Sequence, residues 1–297
     1  MLKFSVPGNI GPIMLRDFLR KHIKLSLTVW RKVKREGTIE VNGMQAFPGS
    51  LVSSGDTIHL NWRQECNIQP ISLPLSILYE DDSLLIINKP TGILVHPACG
   101  HSEPTIANGI IQYYRSKNCQ HGFHPVHRLD RNTSGLLLIA KTAHVQHLLS
   151  RGQNLQITRR YLAIVTGVPF PAEGKINLPI GRRPGSIIER TVCPEGKEAL
   201  TFYRTVRSFQ NASLLEIELQ TGRTHQIRVH LSHLQHPLLG DDLYGGSSVF
   251  INRPALHSCR LELIHPIRQE AMCFSIPLPA DMQNVLDALE SQTGDDN

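Results

Sequence analysis

The densest run of polar residues lies at residues 127–135 and holds a carboxylate between cations. It reads His-Arg-Leu-Asp-Arg-Asn-Thr-Ser-Gly, and the apolar residues 136–139 follow it. Asp130 has Arg128 and Arg131 nearby, and such cations keep a carboxylate ionised, as a nucleophile must be. An aspartate in a turn also commonly caps or closes that turn. The local sequence leaves both roles of Asp130 open.

A second polar run covers residues 221–233 and reads Thr-Gly-Arg-Thr-His-Gln-Ile-Arg-Val-His-Leu-Ser-His. If a helix begins near Arg223, Gln226 and His230 share one face. Arg228 then lies about 160° around the helix from Gln226. The pattern therefore predicts that Arg228 serves a different surface from that of Gln226 and His230.

The histidines near this run raise the question of a metal site. His225, His230, His233 and His236 are close in sequence, but the His-Glu-x-x-His pattern of a zinc hydrolase is missing. We therefore expect hydrogen-bonded structural histidines and no metal. A metallohydrolase would instead bind metal and lose activity with a chelator.

The elements that must position these runs are mostly strands. Apolar stretches predict buried strands at residues 84–87, 136–139 and 162–165, and alternating stretches predict half-exposed strands at 202–206 and 214–219. Helices are predicted at 105–114, 142–149, 225–234 and 281–289. Because strands predominate without a regular βαβ order, we predict an α+β fold with a mixed, mainly antiparallel sheet.

The sequence pattern of residues 12–62 predicts a small α/β module with a basic surface. Two amphipathic helices, the second capped by Ser26 or Thr28 and ended by Gly37, precede strands joined at Asn42-Gly43. Residues 1–62 hold nine Lys/Arg and four Asp/Glu, a net charge of +5 out of the chain's +6. Such a charge suits RNA, although a solvated basic face is the alternative. The predicted RNA-binding residues are Arg16, Arg20, Lys21, Lys24, Arg31, Lys32, Lys34 and Arg35.

The composition limits which metal or redox motifs and which cellular location are expected. The six cysteines form no C-x-x-C pair, which argues against a zinc ribbon or redox motif. No apolar run is long enough to span a membrane, and the N-terminus does not have the pattern of a signal peptide. We expect a cytoplasmic location.

Two resemblances add to this interpretation. The two helices, the strand at 37–41, Asn42-Gly43 and Gly55-Asp56 resemble an S4-like RNA-binding domain. Residues 76–290 resemble the catalytic domain of the RluA family of pseudouridine synthases. The matching blocks are residues 87–97, 127–138, 160–163, 221–231 with 240–245, and 255–257 with 265–266.

The second resemblance implies a pseudouridine synthase fold and a role for each matching residue. Asp130 corresponds to the essential aspartate, and Arg228 to the arginine that pairs with it. Tyr161 corresponds to the tyrosine that stacks on the target base. Arg128 corresponds to the arginine that enters the RNA stack when the uridine flips out. The reaction needs no cofactor.

The sequence departs from the family patterns at three places. Residues 26–28 read Ser-Leu-Thr where S4-like domains often have Ser-Arg-Ser, which removes one candidate phosphate contact. Arg159 replaces the usual lysine and keeps the charge. Gln235 replaces the usual glycine, so a positive φ there would add strain.

These observations give the expected organisation and function. We predict an S4-like domain at 1–62, a linker at 63–75, a catalytic domain at 76–290 and a disordered tail at 291–297. The expected protein is a monomeric RNA pseudouridine synthase that modifies large-subunit ribosomal RNA. Transfer RNA as substrate, or a non-catalytic RNA-binding ribosome-assembly factor, are the alternatives.

Overall fold

The computed structural model describes residues 2–62, 68–97, 103–119, 121–151 and 157–294. Residues 2–62 have their own hydrophobic core, in which Phe18, Trp30 and Leu60 are buried together. The described residues from 68 onward build a larger unit around a ten-stranded sheet. Residues 2–62 therefore share a core cluster, while the predicted domain boundaries stay a prediction.

The N-terminal unit consists of short strands and two helical segments. Its strands are β1 (Leu2–Ser5), β2 (Ile13–Met14), β3 (Gly37–Val41), β4 (Met44–Gln45), β5 (Leu51–Val52) and β6 (Thr57–Trp62). Helix α1 (Leu15–Asp17) continues into a π-helical turn (Phe18–His22), and α2 (Leu27–Glu36) follows. The Ser26 hydroxyl accepts a hydrogen bond from the Val29 amide and caps α2, and Asn42-Gly43 forms the turn between β3 and β4 with positive φ at both residues. Within these residues a sheet of order β1-β6-β3-β4 forms.

The large unit contains a ten-stranded sheet in the described part of the chain. Its strands are β7 (Ser76–Glu80), β8 (Leu84–Lys89), β9 (His124–Pro125), β10 (Ser134–Ala140), β11 (Thr158–Thr166), β12 (Glu173–Asn177), β15 (Leu200–Ser208), β16 (Ala212–Leu219), β17 (Leu256–Ile264) and β18 (Ala271–Ser275). The order is β12-β15-β16-β11-β17-β10-β8-β7, with β18 on β17 and β9 on β10. The hairpin β13 (Ile180–Arg182) and β14 (Arg190–Val192) stands beside it.

Helices cover this sheet on both faces. They are α3 (Ile106–Ser116), α4 (Ala143–Arg151), α5 (Gln226–His233) and α6 (Ala280–Gly294), with a 3₁₀ turn at Asp242–Tyr244. Strand β10 is buried along its whole length because its alternating residues enter two cores. Leu137 packs with α3 on one face, and Leu138 packs with α4 on the other.

The predicted fold class is confirmed. Strands β10 and β17 run parallel, and the other pairings within the sheet's described residues are antiparallel. Each predicted helix and strand of the large unit has a counterpart within a few residues. Strand β16, however, is mostly buried and not half exposed, because it lies between β15 and β11.

Two predicted segments lie partly within the described residues. Residues 68–75 form no helix or strand but dock on α3, where the Asn108 side chain donates to the Gln69 carbonyl and Leu75 packs into the core. Residues 63–67 of the predicted linker lie outside the described residues. Residues 291–294 of the predicted disordered tail are helical, because α6 continues to Gly294. Residues 295–297 lie outside the described part.

Two further expectations from the sequence concern the backbone at Gln235 and the presence of membrane-spanning helices. Gln235 has a φ of +64°, so the side chain that replaces the usual glycine does occupy the left-handed region. Among the helices of the described residues, none has the length and apolar character needed to cross a membrane.

Candidate active site

Asp130 lies in the turn between β9 and β10, and its side chain is 27% exposed. The turn closes with a hydrogen bond from the Thr133 amide to the Asp130 carbonyl. Immediately after it, Gly135 has a φ of +113°, and an added Cβ would lie 2.3 Å from the Ser258 carbonyl oxygen. Glycine at this position therefore lets β10 approach β17 directly behind the carboxylate.

Buried polar groups make hydrogen bonds to this turn and to the strand after it. The Lys89 ammonium is fully buried and donates to the Arg131 carbonyl at 3.0 Å and the Pro90 carbonyl at 2.6 Å. Burial lowers the pKa of Lys89 to about 7, against the opposing effect of the Asp130 charge. His127 accepts a hydrogen bond from the Leu138 amide at its Nε2 atom. The carboxylate of Asp130 is thus mounted on a rigid turn.

Arg228 lies on α5 and faces two carboxylates. Its Nη1 atom lies 3.6 Å from Asp130 Oδ2, while Nε and Nη2 each donate to Asp241 at 2.7 Å. Asp241 is fully buried. Burial opposes the Arg228 cation, but the hydrogen bonds and charge of Asp241 outweigh it, so the pKa of Arg228 lies above its ordinary value. Asp241 therefore fixes the guanidinium so that one edge is left for Asp130.

The orientation of α5 follows from its other face. Gln226 donates to Thr201 at 3.0 Å, and His230 shares a hydrogen bond with the same hydroxyl at 2.8 Å. The predicted common face of Gln226 and His230 is therefore confirmed, and Arg228 points away from it. His225, in the left-handed region at φ +58°, precedes the helix and shares a hydrogen bond with the Tyr244 hydroxyl. The Tyr244 ring lies 5.0 Å from the Arg228 guanidinium carbon, a cation–π contact.

Tyr161 lies on β11 and lines the same cleft as Asp130 and Arg228. Its side chain is buried among core residues, and it pairs with Ile217 on β16. Burial, together with the weaker effect of the Asp130 charge, raises the pKa of Tyr161, so its phenol is neutral near pH 7. Tyr161 therefore lines the cleft with a largely buried aromatic side chain.

The cleft has a volume of about 1130 Å³. This exceeds the ~300–1,000 Å³ typical of small-molecule pockets and suits a nucleotide with its neighbours. Arg128 also lines the cleft; its side chain is exposed and makes no ion pair with the described residues. The structure therefore brings Asp130, Tyr161, Arg228 and Arg128 together.

The predicted basic residues of the N-terminal unit do not join this cleft. All eight are exposed on α1, the π-helical turn, α2 and the connection between them: Arg16, Arg20, Lys21, Lys24, Arg31, Lys32, Lys34 and Arg35. Some have protein partners, since Arg35 pairs with Glu36 and Lys34 lies 5.8 Å from the Trp30 ring. They form a separate basic surface.

The histidines considered as metal ligands contact protein groups instead. His230 lies between the Thr201 hydroxyl and the Leu178 carbonyl, and His236 shares a hydrogen bond with the Thr166 carbonyl. Over the ranges that the structure describes, no three His, Cys, Asp or Glu side chains group as a metal site would require.

Sequence reasoning missed three residues of this site. Lys89, Asp241 and Tyr244 lie in matching blocks, but the sequence assigns no role to them. Their importance comes from contacts with Arg228 and with the Asp130 turn, which lie far away in sequence. A polar Gly-Asp pair among apolar residues was the available signal for Asp241.

Comparison with known proteins gives consistent results. The family described as RNA pseudouridylate synthase matches residues 83–233. The chain is 42% identical to an uncharacterized RNA pseudouridine synthase, YjbO, of Bacillus subtilis, over 84% of this chain and 90% of that protein. It is 37% identical to ribosomal large subunit pseudouridine synthase D of Haemophilus ducreyi, over 93% of this chain and 88% of that one. The solved structure of human RNA pseudouridylate synthase domain containing 4 superimposes with a TM-score of 0.58 and 26% identity, over 72% of this chain and 93% of that one.

Proposed function

Because this chain belongs to the RNA pseudouridylate synthase family, and is therefore an isomerase, we propose that Asp130, Tyr161 and Arg228 carry out its reaction. In that reaction the N1–C1′ bond of a uridine breaks, the uracil turns, and C5 bonds to C1′. The C5 proton is then lost and N1 gains one, so no oxidation or hydrolysis occurs. The observation that carries the proposal is the 3.6 Å approach of Arg228 to Asp130 inside a cleft that Tyr161 also lines.

The carboxylate supplies the reactive oxygen. Asp130 either attacks C1′ as the uracil departs or takes the C2′ proton, and both routes need it ionised. Arg228 places a positive charge 3.6 Å from that carboxylate. Its short bonds go to Asp241, so the longer contact leaves the Asp130 oxygens accessible to the ribose.

The base must leave the RNA stack before it can enter the cleft. Extruding a nucleotide costs a few kcal/mol. Arg128, exposed at the cleft and without an ion-pair partner among the described residues, can occupy the space that the base leaves and contact a phosphate. Tyr161 supplies an aromatic face on which the loose uracil can turn.

We further propose large-subunit ribosomal RNA as the substrate. Support comes from relatives named ribosomal large subunit pseudouridine synthase D, which are 37–38% identical over most of this chain. The basic surface of residues 2–62, for which an S4-like role stays a proposal, would hold RNA outside the cleft. Activity on ribosomal RNA implies a cytoplasmic location, and a monomer suffices for this mechanism.

Incubation of the purified protein with large-subunit ribosomal RNA and with transfer RNA, followed by pseudouridine mapping, tests this proposal. We expect new pseudouridines at defined positions in the ribosomal RNA. Asp130→Asn should form none while it binds the RNA with unchanged affinity, because the amide keeps the shape of the carboxylate but not its reactivity. Asp82→Asn, at an exposed position, is the control and should be fully active. Conversion of transfer RNA alone would overturn the substrate, and full activity of Asp130→Asn would overturn the mechanism.

A further inference from the structure

Arg159 is a cation inside the cleft that the mechanism above does not use. It lies two residues before Tyr161 on β11, and alternate residues of a strand project from the same face. Arg160, between them, projects from the opposite face, where it pairs with Glu218 at 3.1 Å and Glu262 at 3.7 Å. Arg159 and Tyr161 both line the cleft.

The surroundings hold the Arg159 guanidinium in place without neutralising it. Its Nη2 atom donates to the Leu219 carbonyl at 3.4 Å, and an added Cβ on Gly222 would lie 3.1 Å from Nη1. Glycine at position 222 therefore leaves room for the cation. No carboxylate forms a salt bridge with Arg159 within the described residues.

Two residues that line the cleft each hold one buried nitrogen atom without an acceptor in the described protein. The Arg159 Nε atom is buried without a hydrogen-bond partner, and so is the His127 Nδ1 atom. Because His127 accepts the Leu138 amide at Nε2, its proton must lie on Nδ1. Burial, and then the Arg159 charge, lowers the pKa of His127 to about 3, so this imidazole is neutral. No carboxylate among the described residues neutralises Arg159, and the His127 imidazole is uncharged, so this part of the cleft fits a ligand that carries negative charge.

The reaction produces such a ligand. When the N1–C1′ bond breaks, its electron pair leaves with the base, and the negative charge spreads from N1 onto the carbonyl oxygens. The next side chain on the Tyr161 face of β11 lies about 6.8 Å further along the strand. A base that stacks on Tyr161 can therefore point one edge at it. That side chain is Arg159.

We propose that Arg159 contacts the detached uracil and stabilises its negative charge, an inference that rests on the proposed pseudouridine synthase function. In this arrangement the Asp130 carboxylate lies at the sugar and the Arg159 guanidinium lies at the base. A fixed cation in a site of low dielectric stabilises developing charge without reorganising. The alternative, a phosphate contact by Arg159, is less favoured because the neighbour of Arg159 on the same strand face is the base-stacking Tyr161.

The test compares single-turnover rates and RNA affinities of the full-length protein with those of variants. Arg159→Met removes the charge, Arg159→Lys keeps it, and Arg160→Met is the matched control on the opposite face. Each is assayed by consumption of the target nucleoside on RNA with uridine and on RNA with 5-fluorouridine at the target site. The fluorine stabilises the base anion by itself, and because it leaves no C5 proton to lose, breakage of the N1–C1′ bond is the step compared. Circular dichroism checks folding, and Arg159→Gln is run in parallel so that a folding failure of Arg159→Met leaves the comparison intact.

We expect Arg159→Met to lose about 100-fold in rate on uridine, the size found when one donor to a developing anion is removed. Its RNA affinity should stay within a few-fold of wild type, Arg159→Lys should recover most of the rate, and the loss should shrink on 5-fluorouridine. Equal losses on both substrates, a loss in affinity alone, or a rate like that of Arg160→Met would overturn the inference. Inactivity of the wild-type protein itself would instead overturn the proposed function.

Discussion

Replacing Asp241 by asparagine should destabilise the large unit strongly, although Asp241 is not expected to touch the RNA. The carboxylate is fully buried and makes two 2.7 Å bonds to Arg228, whose side chain is only 10% exposed. Asparagine keeps one acceptor but loses the charge and turns a donor towards the guanidinium. Removing one partner of a buried ion pair costs about 3–5 kcal/mol, because the other charge stays buried.

The measurement is urea unfolding followed by far-ultraviolet circular dichroism. Both tryptophans, Trp30 and Trp62, lie in the N-terminal core, so tryptophan fluorescence follows that unit and should respond less. Asp242→Asn is the matched control, since it changes the neighbouring exposed carboxylate. A loss below about 1 kcal/mol for Asp241→Asn, no larger than that of Asp242→Asn, would contradict this account of the buried pair.

A double replacement separates stability from activity. Arg228→Met with Asp241→Leu removes both charges, so most of the lost stability should return, because apolar pairs of similar volume replace buried ion pairs at little cost. The double variant should nevertheless stay inactive, since Asp130 has lost its cation. Asp241→Asn alone should also lose activity, because a released Arg228 can turn both donors onto Asp130. Recovery of activity in the double variant would refute the role of Arg228.

Two further predictions concern other parts of the chain. Because burial lowers the pKa of Lys89 to about 7, the unfolded chain holds a proton that the folded protein releases between pH 7 and about 10.4. Wild type should therefore gain stability over Lys89→Met by on the order of 3 kcal/mol from pH 7 to 10 in urea unfolding; a difference that does not change with pH would contradict the burial argument. In the N-terminal unit, replacing Arg31 and Lys34 by glutamine should reduce the salt dependence of RNA binding, the slope of log K against log salt, by about 1.4–1.8. Lys175→Gln, on β12, is its control, and an unchanged slope in the double variant would remove the basic surface from the proposal.

The sequence predicted the elements of the large unit well where local pattern decides them. The apolar stretch at 136–139 became β10, and the spacing of Gln226 and His230 gave the face by which α5 is fixed. Periodicity is a property of neighbouring residues, so it survives folding. The fold class followed from the same patterns.

The site was only partly predictable because its charged groups pair with residues that are not their neighbours in sequence. Arg228 was expected to pair with Asp130, and it does approach Asp130, but its short bonds go to Asp241. The Gly240-Asp241 pair marks a polar position among apolar residues, but the sequence does not say that Asp241 is buried while the neighbouring Asp242 is exposed. Lys89 gave no signal either, because its burial depends on how β8 and β10 pack under the Asp130 turn.

The C-terminal boundary failed for a related reason. The polar sequence at 291–297 predicts disorder, yet α6 continues to Gly294. Met282, Val285 and Leu286 anchor the helix in a core, and an anchored helix gains one hydrogen bond for each residue added. Composition alone does not predict that an anchored helix such as α6 continues into a polar segment.

The role of Asp130 is tested most directly in cells whose own gene encodes Asp130→Asn. Pseudouridine maps of their ribosomal RNA should lack defined large-subunit positions that are modified in wild-type cells, while the variant protein is present at normal level. Maps identical to wild type would contradict the claim that this carboxylate forms pseudouridine.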